Sequence, residues 1–452
     1  MVPMPRFAAP ALLGSLILVV VGCYVYGAMH QLNHMNLDIN ANDQRSYIRY
    51  ATRLVESHYS YVGDHNRMPV YPFLQSLFYR PGMSAETFFM RGKVVNLILS
   101  LALLLGLTLI LLKIFGRSLH TLNLILIIAF TVFVFKASWF QAELLFYFVY
   151  FCLFLLLWRL LHTPSYSRAV VAGIVAGIAH LIKASVLPGL ALFLVAMGAQ
   201  WAWRTYRDRR TLTSRGVLQS AVRSLLTMLW VVLCFLLTVY PYISTSKRVF
   251  GHYFYNVNST FYIWYDSWDD VMQGTRAHRD RVGWPDMPSE EIPSMSKYLR
   301  EHTTEQILAR FRNGARVVWS NMRDSYGYFK YLLIYTGLLA LAGAWHWRRT
   351  RQLIAMHPVP FFFVPVYFAI QFLLCAWYAP IADGNRLILS QFVPLMFLLA
   401  SGIHELLRAA PLKIGVRAVS ALTTANVVVL AVVLIDVYLV LTERIGTVSG
   451  GL

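Results

Sequence analysis

Long apolar runs recur along this chain, and they constrain its fold more than any other feature. Each run has about 17–25 residues, the length that an α-helix needs to cross a bilayer. The 452 residues are 58% hydrophobic and only 13% charged, whereas a soluble protein carries about 25% charged residues. A membrane-spanning β-barrel would need short alternating segments, and the sequence has none. We therefore expect an all-α polytopic membrane protein.

The apolar runs predict about eleven transmembrane helices. They cover residues 11–29, 93–115, 121–139, 142–161, 169–186, 187–203, 222–243, 329–347, 358–379, 387–406 and 418–441. Two long polar segments interrupt them, residues 30–92 and 244–328. The sequence thus divides into an N-terminal membrane module (1–243) that contains the first segment, a second loop domain (244–328) and C-terminal helices (329–452).

Clustered Lys and Arg residues predict the orientation. They concentrate in short connections such as residues 113–117, 204–215 and 408–417, and short basic loops face the cytoplasm. The N-terminus is then cytoplasmic, and the C-terminus and both long segments are outside. We expect a bacterial inner membrane, in which these two outer loops form a small helical periplasmic domain.

The net charge of +19 follows from the same positive-inside pattern, so it predicts contact with membrane lipids and no nucleic-acid partner. The four cysteines all fall within apolar runs and lack metal-ligand spacing. We interpret them as small membrane hydrophobes.

The first outer loop carries the most informative polar residues. Asp43 precedes a predicted helix from about Gln44 to Ser57, in which Arg45, Arg49 and Arg53 recur every four residues opposite an apolar stripe. This pattern favours a helix at the membrane interface. Asp43 has two interpretations, a catalytic carboxylate or an N-cap of that helix. Asp38 is a second acid nearby.

Sugar transfer from a lipid phosphate needs one base and a set of cations. The base takes the proton of the incoming hydroxyl, and cations hold the departing phosphate. Asp43 suits the base and Arg67 suits the phosphate clamp. Arg45 is the nearest helix arginine to Asp43.

Three further ionisable residues are predicted at the outer ends of spans: Glu143, Lys183 and Arg386. Charged groups are costly in lipid, so a functional role or a mutual structural pair is expected. Lys136 and His180 carry weaker signals of the same kind.

The second outer loop is rich in aromatic residues between Tyr253 and Trp268. Such side chains stack on sugars or form an interfacial belt, and Trp264 is our candidate for sugar contact. Farther on, Thr303-Thr-Glu-Gln306 predicts a capped helix start.

Several short motifs together resemble the GT-C superfamily of polytopic glycosyltransferases, with lipid A aminoarabinose transferases and protein O-mannosyltransferases the most similar. The motifs are Asp43-Gln-Arg-Ser-Tyr47, Arg67-Met-Pro69-Val-Tyr71-Pro72, Glu143, His180-Leu-Ile-Lys183-Ala-Ser and Asn385-Arg386-Leu. The resemblance covers residues 1–200 and extends farther only through layout. The chain departs from the family pattern at Gln44, where a second acid is usual, at Met68, where proline is common, and at Leu387, where an aromatic residue is usual.

The resemblance implies an inverting transferase that moves a sugar from a polyprenyl-phosphate donor to a lipid, glycan or protein acceptor outside the membrane. Asp43 and Glu143 are then the catalytic residues, and Arg67, Arg45, Lys183 and Arg386 bind the donor phosphate. The expected substrate contacts are Tyr47, Tyr71, Asp38 and Trp264. No cofactor follows from the residues; if a divalent metal ion takes part, Asp43 and Glu143 are its expected ligands.

Two other functional classes remain open on the sequence alone. A transporter or flippase for a lipid-linked sugar would carry charges along a path across the bilayer. An assembly subunit without chemistry would tolerate neutralisation of Asp43.

Overall fold

The computed structural model describes residues 8–208, 213–382, 384–408, 410–414 and 417–444. Parts of the predicted basic loops 204–215 and 408–417, and both chain termini, lie outside the described residues. Almost every ordered element is a helix, as the apolar runs predict.

Helices α1 to α10 make up the first half of the chain, and α2 and α3 lie in the first outer loop. They are α1 Ala8–His30, α2 Gln44–Glu56, α3 Val70–Ser76, α4 Ala85–Phe115, α5 Leu119–Ile128, α6 Val134–Lys136, α7 Glu143–His162, α8 Tyr166–Ile182, α9 Leu187–Arg207 and α10 Ser214–Phe250. Short π-helices cover Gln31–Met35 and Ala129–Phe133, and 3-10 turns cover Ala41–Asp43 and Ala184–Val186.

The second half begins with the second outer loop. Its helices are α11 Val257–Thr260, α12 Trp268–Gln273, α13 Met295–Glu301, α14 Thr304–Asp324, α15 Tyr328–Trp345, α16 Trp347–Met356, α17 Pro358–Tyr378, α18 Leu389–Leu407 and α19 Ala421–Leu441, with a 3-10 turn at Tyr262–Trp264. An antiparallel hairpin of β1 Pro411–Ile414 and β2 Arg417–Ser420 joins α18 to α19. This hairpin is the one departure from an all-helical chain among the described residues.

Eight helical segments among the described residues are long and apolar enough to cross a membrane, or nine if α14 and α15 count as one bent span. This supports a multi-pass membrane protein. Each of the eleven predicted spans contains a helix, but α1, α8 and α15 are outside the eight. Helix α8 has only 17 residues, and α15 qualifies only together with α14, which it meets at 89°. Eleven spans therefore remain a prediction.

The centre of the bundle is formed by the α5–α6 segment, α7 and α18, whose apolar window is 61% buried. Of the apolar window in Leu119–Lys136, 83% is buried, and of that in Glu143–His162, 61% is buried. Helices α10, α17 and α19 are only 28% buried over their apolar windows, so their exposed apolar sides face the surroundings of the bundle. Residues at the ends of α6 and α7 are consequently held by packing from all sides.

Helix α2 buries its apolar stripe against the protein itself. Tyr47, Ile48, Ala51 and Leu54 are buried, while Arg45, Arg49 and Arg53 are exposed. The stripe packs in the main hydrophobic core and against α3, so the expectation that it lies on the bilayer is corrected. The predicted start of α14 is confirmed, because Thr303 and Gln306 form a reciprocal capping box.

Candidate functional site

Asp43 does not cap helix α2. Asn42 and Asp43 both have left-handed backbone conformations, with φ of 48° and 70°. These angles are uncommon for residues other than glycine, although Asn and Asp tolerate them best. The Asp43 side chain makes no hydrogen bond to the helix, so the turn directs the carboxylate away from the helix start.

Buried amides hold this turn in place. Gln44 is fully buried, and its side-chain oxygen accepts hydrogen bonds from the Phe140 backbone N–H and from Asn36 Nδ2, both at 2.8 Å. Its amide nitrogen donates to the Asp38 carbonyl at 2.9 Å. Gln141 donates to the Asn42 carbonyl. Glutamine at position 44 therefore has a structural reason, because an ionised acid there could not donate to the Asp38 carbonyl.

Two arginines hold the Asp43 carboxylate, one on each oxygen. Arg67 Nη2 donates to Oδ1, and Arg386 Nη1 donates to Oδ2 at 2.6 Å. Only 28% of the Asp43 side chain is exposed, with 16% of Arg67 and 19% of Arg386. Charge-assisted bonds of this kind are about twice as strong as neutral ones.

The arginines set the protonation state of Asp43. Burial raises the pKa of its carboxyl, but the positive charges of Arg67 and Arg386 outweigh burial and bring the pKa to about 2. Burial lowers the pKa of each arginine, and the negative charge of Asp43 reverses that effect and raises it. All three groups are therefore ionised at neutral pH, and Asp43 in this arrangement is a weak base.

A second ion pair joins Glu143 to Lys183 at 2.8 Å. Glu143 begins α7 and is 3% exposed, and Lys183 directly follows α8. The second Glu143 oxygen, Oε2, has no hydrogen-bond partner among the described residues. A buried carboxylate oxygen without a hydrogen-bond donor is costly, so Oε2 is suited to accept a hydrogen bond from a substrate.

Arg386 connects the two pairs, because it interacts electrostatically with both Asp43 and Glu143. Its own backbone carbonyl accepts a hydrogen bond from the Tyr147 hydroxyl at 2.9 Å. The neighbouring Asn385 accepts a bond from Lys136 Nζ at 3.0 Å. Lys136 is 7% exposed and interacts with Glu143, Arg386 and Lys183.

Lys136 is thus a member of the charge cluster that its sequence context indicated only weakly. The sequence shows no more than a lysine near the end of an apolar run. With it, the charge cluster contains four cations and two carboxylates: Arg67, Lys136, Lys183, Arg386, Asp43 and Glu143. The cluster has an excess of positive charge, which suits an anionic ligand.

Tyr47 belongs to the wall of the charge cluster, and Tyr71 lies behind it. The Arg67 guanidinium carbon is 5.8 Å from the centre of the Tyr47 ring, and the Tyr47 and Tyr71 rings pack edge to face at 5.1 Å. Tyr71 is fully buried. Its hydroxyl donates to Asn96 at 3.2 Å and accepts from Gln75 at 3.0 Å, so it supports Tyr47.

The other predicted site residues lie outside this cluster. Arg45 is exposed and donates to Asn40 at 2.8 Å. Asp38 is exposed and accepts from the Asn40 backbone N–H at 2.8 Å. Trp264 packs near Tyr298 and Trp377, with ring centres 6.3 and 6.1 Å away. His180 is buried near Phe235 and Phe254.

The two carboxylates do not suit a divalent metal ion. Asp43 has an arginine on each oxygen, and Glu143 has Lys183 on one. Within the described ranges, no three His, Cys, Asp or Glu residues are grouped closely enough to hold a metal. Three of the four carboxylate oxygens of Asp43 and Glu143 therefore already have a cationic partner.

Comparison with family models, with curated proteins and with solved structures found no match for this chain.

Proposed function

We propose that this protein is a membrane glycosyltransferase that moves a sugar from a polyprenyl-phosphate donor to an acceptor on the periplasmic side of a bacterial inner membrane. The observation that carries this proposal is the Asp43 carboxylate held between Arg67 and Arg386. In this contact two guanidinium groups approach a single anion, and a phosphate clamp requires the same convergence. The order of motifs that resembles GT-C enzymes supports the same function.

The donor phosphate replaces Asp43 as the partner of the arginines. A phosphate offers Arg67 and Arg386 more oxygens than the Asp43 carboxylate does and more negative charge, and guanidinium groups can bind it in a bidentate manner. Once the arginines pair with phosphate, they lower the pKa of the Asp43 carboxyl less, while burial still raises that pKa. Donor binding therefore converts Asp43 from a clamped carboxylate into a stronger base.

The reaction is then a single displacement. The acceptor oxygen attacks the anomeric carbon, the bond from that carbon to the phosphate oxygen breaks, and Asp43 takes the acceptor proton. The polyprenyl phosphate leaves as an anion that the arginines and Lys136 stabilise. One displacement inverts the configuration of the sugar.

Glu143 orients the acceptor in this mechanism. Its free Oε2 accepts a hydrogen bond from the acceptor hydroxyl or from a sugar hydroxyl, while Lys183 fixes Oε1 at 2.8 Å. Holding a reactant in the attack geometry lowers the barrier through proximity.

The position of the charges favours transfer over transport. Glu143 begins α7, Lys136 ends α6 and Lys183 follows α8, so each lies at a helix end. A transport path would distribute such groups along the helices.

The test is a transfer assay with purified full-length protein and a panel of polyprenyl-phosphate sugars. The expected result is that wild type forms free polyprenyl phosphate and a glycosylated acceptor, and that Asp43→Asn does so about 10²–10⁴-fold more slowly. Glu86→Gln is the matched control, because Glu86 is an exposed acid in the first turn of α4. Equal turnover by wild type and Asp43→Asn would exclude the proposed chemistry.

A further inference from the structure

A fully buried lysine on α4 is not a member of the charge cluster. The ammonium of Lys93 donates to the Leu32 and Asn36 carbonyls, both at 2.8 Å. The same nitrogen lies 4.7 Å from the ring centre of Phe89. A buried charge is costly, and in most proteins it pairs with an opposite charge. The hydrogen-bond partners of Lys93 are instead backbone carbonyls, and this choice of partners needs a physical reason.

Lys93 binds the end of the first helical segment. The π-helix Gln31–Met35 continues α1, and Asn36 is its C-cap. The last carbonyls of a helix lack partners within it and carry partial negative charge. Because the carbonyls of Leu32 and Asn36 meet at one ammonium, Lys93 fixes the direction in which the chain leaves this helix for the first outer loop.

The side chain of Asn36 forms two reciprocal amide bonds with Gln44. Asn36 Nδ2 donates to Gln44 Oε1 at 2.8 Å, and Gln44 Nε2 donates to Asn36 Oδ1 at 2.9 Å. Both side chains are buried. We call Lys93, Asn36 and Gln44 the buried hub. Since Asp43 directly precedes Gln44, the hub sets where the left-handed turn presents the Asp43 carboxylate.

The buried hub also holds the connection between α6 and α7. Asn36 Nδ2 donates to the Ser138 carbonyl at 2.8 Å, and the side-chain oxygen of the hub glutamine accepts from the Phe140 backbone N–H at 2.8 Å. Lys136 ends α6 just before this connection, and Glu143 begins α7 just after it. The hub therefore bonds to two separate segments that carry members of the charge cluster.

Helix α4 makes a second polar contact with the same connection. Asn96 lies about one turn after Lys93, on the same side of the helix, and its side chain donates to the Trp139 carbonyl. A Cβ at Gly92 would collide with the Phe140 ring, so α4 packs directly against the connection. One side of α4 thus supports both segments at once.

We infer that Lys93 and Asn36 are positioning residues that fix the Asp43 carboxylate relative to the Glu143 carboxylate. The two carboxylates lie on different segments, and the buried hub is bonded to both. A buried charge in this place has a reason, because it holds a helix end from which one of these segments starts. The kinetic consequences of this inference rest on the proposed function, whereas the positioning itself does not.

The arginines of the charge cluster have supports of their own. Arg67 donates to the Asn66 side chain, and the backbone carbonyl of Arg386 accepts from the Tyr147 hydroxyl at 2.9 Å. Loss of the hub should therefore displace the carboxylates more than it disturbs the phosphate site. Because the rate depends on the attack geometry, kcat should fall while the KM for the lipid donor stays nearly unchanged.

The experiment is a double-mutant cycle on the thermal unfolding of purified full-length protein, which needs no substrate. Lys93→Met removes the ammonium and keeps an unbranched apolar side chain in the buried position. Asn36→Leu removes the amide bonds at similar volume, and it changes no charge near Asp43. Each variant is combined with Asp43→Asn. Ser100→Ala is the matched control, because Ser100 is also buried on α4 and also bonds to α1, accepting from Tyr24 at 2.8 Å.

Asp43→Asn lowers the unfolding midpoint of wild type, because two arginines lose a charged partner. If the hub positions that carboxylate, this shift should be reduced by about half or more in the Lys93→Met and Asn36→Leu backgrounds. It should be unchanged in the Ser100→Ala background. Equal shifts in all backgrounds, or an equal reduction with Ser100→Ala, would overturn the inference. Failure of both hub variants to fold would also overturn it, since the hub would then be required for folding alone.

Kinetics of the same variants separate the positioning from the proposed function. Lys93→Met should lower kcat for sugar transfer by about 10- to 100-fold, and Ser100→Ala should not change it. A loss of kcat that only follows the fraction of folded protein would overturn the positioning. Reduced midpoint shifts without any sugar transfer by wild type would support the positioning and exclude the proposed function. Sugar transfer together with equal midpoint shifts would do the opposite.

Discussion

Asp43 is ionised in the structure and has no free carboxylate oxygen, because each of its two oxygens accepts a hydrogen bond from an arginine. Its role therefore depends on what else those arginines can bind. If phosphate takes them, Asp43 becomes available as a base. If nothing does, the three residues form a structural ion-pair network that ties the first outer loop to the start of α18.

Replacing Asp43 by Asn distinguishes these roles. We expect Asp43→Asn to lower transfer by about 10²–10⁴-fold, the contribution of a positioned base. It should also lower the free energy of unfolding by about 1.5–3 kcal/mol, because two partly buried arginines lose a charged partner. Turnover and thermal unfolding are measured on the same preparation. A stable variant with full activity would leave Asp43 without a catalytic role.

The same carboxylate predicts a pH dependence of stability. Its pKa is lowered from 3.8 to about 2 in the folded state. Its stabilising effect is thus fully present above about pH 4 and is lost as the pH falls toward 2. The difference in unfolding midpoint between wild type and Asp43→Asn should be largest near neutral pH and should shrink below pH 4. A constant difference across this range would contradict the ion-pair assignment.

Arg67 tests the anion site independently. Arg67→Ala should weaken donor use at subsaturating donor by about 10- to 100-fold, because one charge-assisted contact contributes about 1.5–3 kcal/mol. Arg67→Lys should recover only part of the loss, since lysine cannot bind phosphate in a bidentate manner. Arg49→Ala is the control, because Arg49 is exposed on α2. Equal kinetics for the Arg67 and Arg49 variants would show that Arg67 does not bind the donor phosphate.

Sequence reasoning assigned Asp43, Arg67 and Arg386 to one site, through short motifs and their predicted position at the outer ends of the spans. It did not pair Asp43 with Arg386, which is 343 positions away, since such contacts depend on how the helices pack. The fully buried Lys93 is a similar case. It donates to the Leu32 and Asn36 carbonyls, both at 2.8 Å, and local sequence gives no sign of this.

At the scale of elements, a glycine allows α14 and α17 to pack closely. Gly314 of α14 lies against the backbone of α17, and a Cβ at this position would collide with the carbonyl oxygen of Ala376. The two helices approach so closely only because residue 314 has no side chain.

Gly314→Ala should therefore push α14 from α17 and lower the unfolding midpoint. Gly198→Ala in α9 is the matched control, because no atom lies within 4 Å of a Cβ there. The control should be neutral or slightly stabilising, since alanine favours a helix over glycine by about 1 kcal/mol. Similar unfolding midpoints for the two variants would show that α14 and α17 can move apart with little loss of stability.

The apolar runs predicted where helices occur but could not predict what covers them. The amphipathic pattern of α2 is the same whether its apolar side meets lipid or protein, and the structure places that side in the core. The periodicity of apolar residues indicates that one side of a helix is buried, but it does not indicate whether lipid or protein covers that side. The short hairpin before α19 was not predicted, because each of its strands has only four residues, close to the shortest strands found in proteins.

In the whole molecule, the first and second outer loops contact each other. The Val257 backbone N–H donates to the His65 carbonyl at 3.2 Å, and His65 bonds to Ser246 at 2.7 Å. His65 is buried between the rings of Tyr242 and Phe250. Burial lowers its pKa to about 4, so it stays neutral at physiological pH and the contact persists.

This joining of the loops predicts that both face the same side of the membrane. Glu86→Cys in the first loop region and Glu290→Cys in the second introduce thiols at exposed positions, and Arg348→Cys does so at the predicted cytoplasmic end of α15. Gly63 would be a poor labelling site, because its φ is +83° and a side chain there would collide with Tyr50. The native cysteines all lie in apolar helices.

An impermeant thiol reagent added to intact cells should label the Glu86 and Glu290 variants, and it should label the Arg348 variant only after lysis. The physical reason is the bias of Lys and Arg toward the cytoplasmic side. Labelling of Glu86 and Glu290 from opposite sides would contradict the contact between the loops. Labelling of all three in the reverse order would place the charge cluster in the cytoplasm, where a donor presented from outside could not reach Arg67 and Arg386.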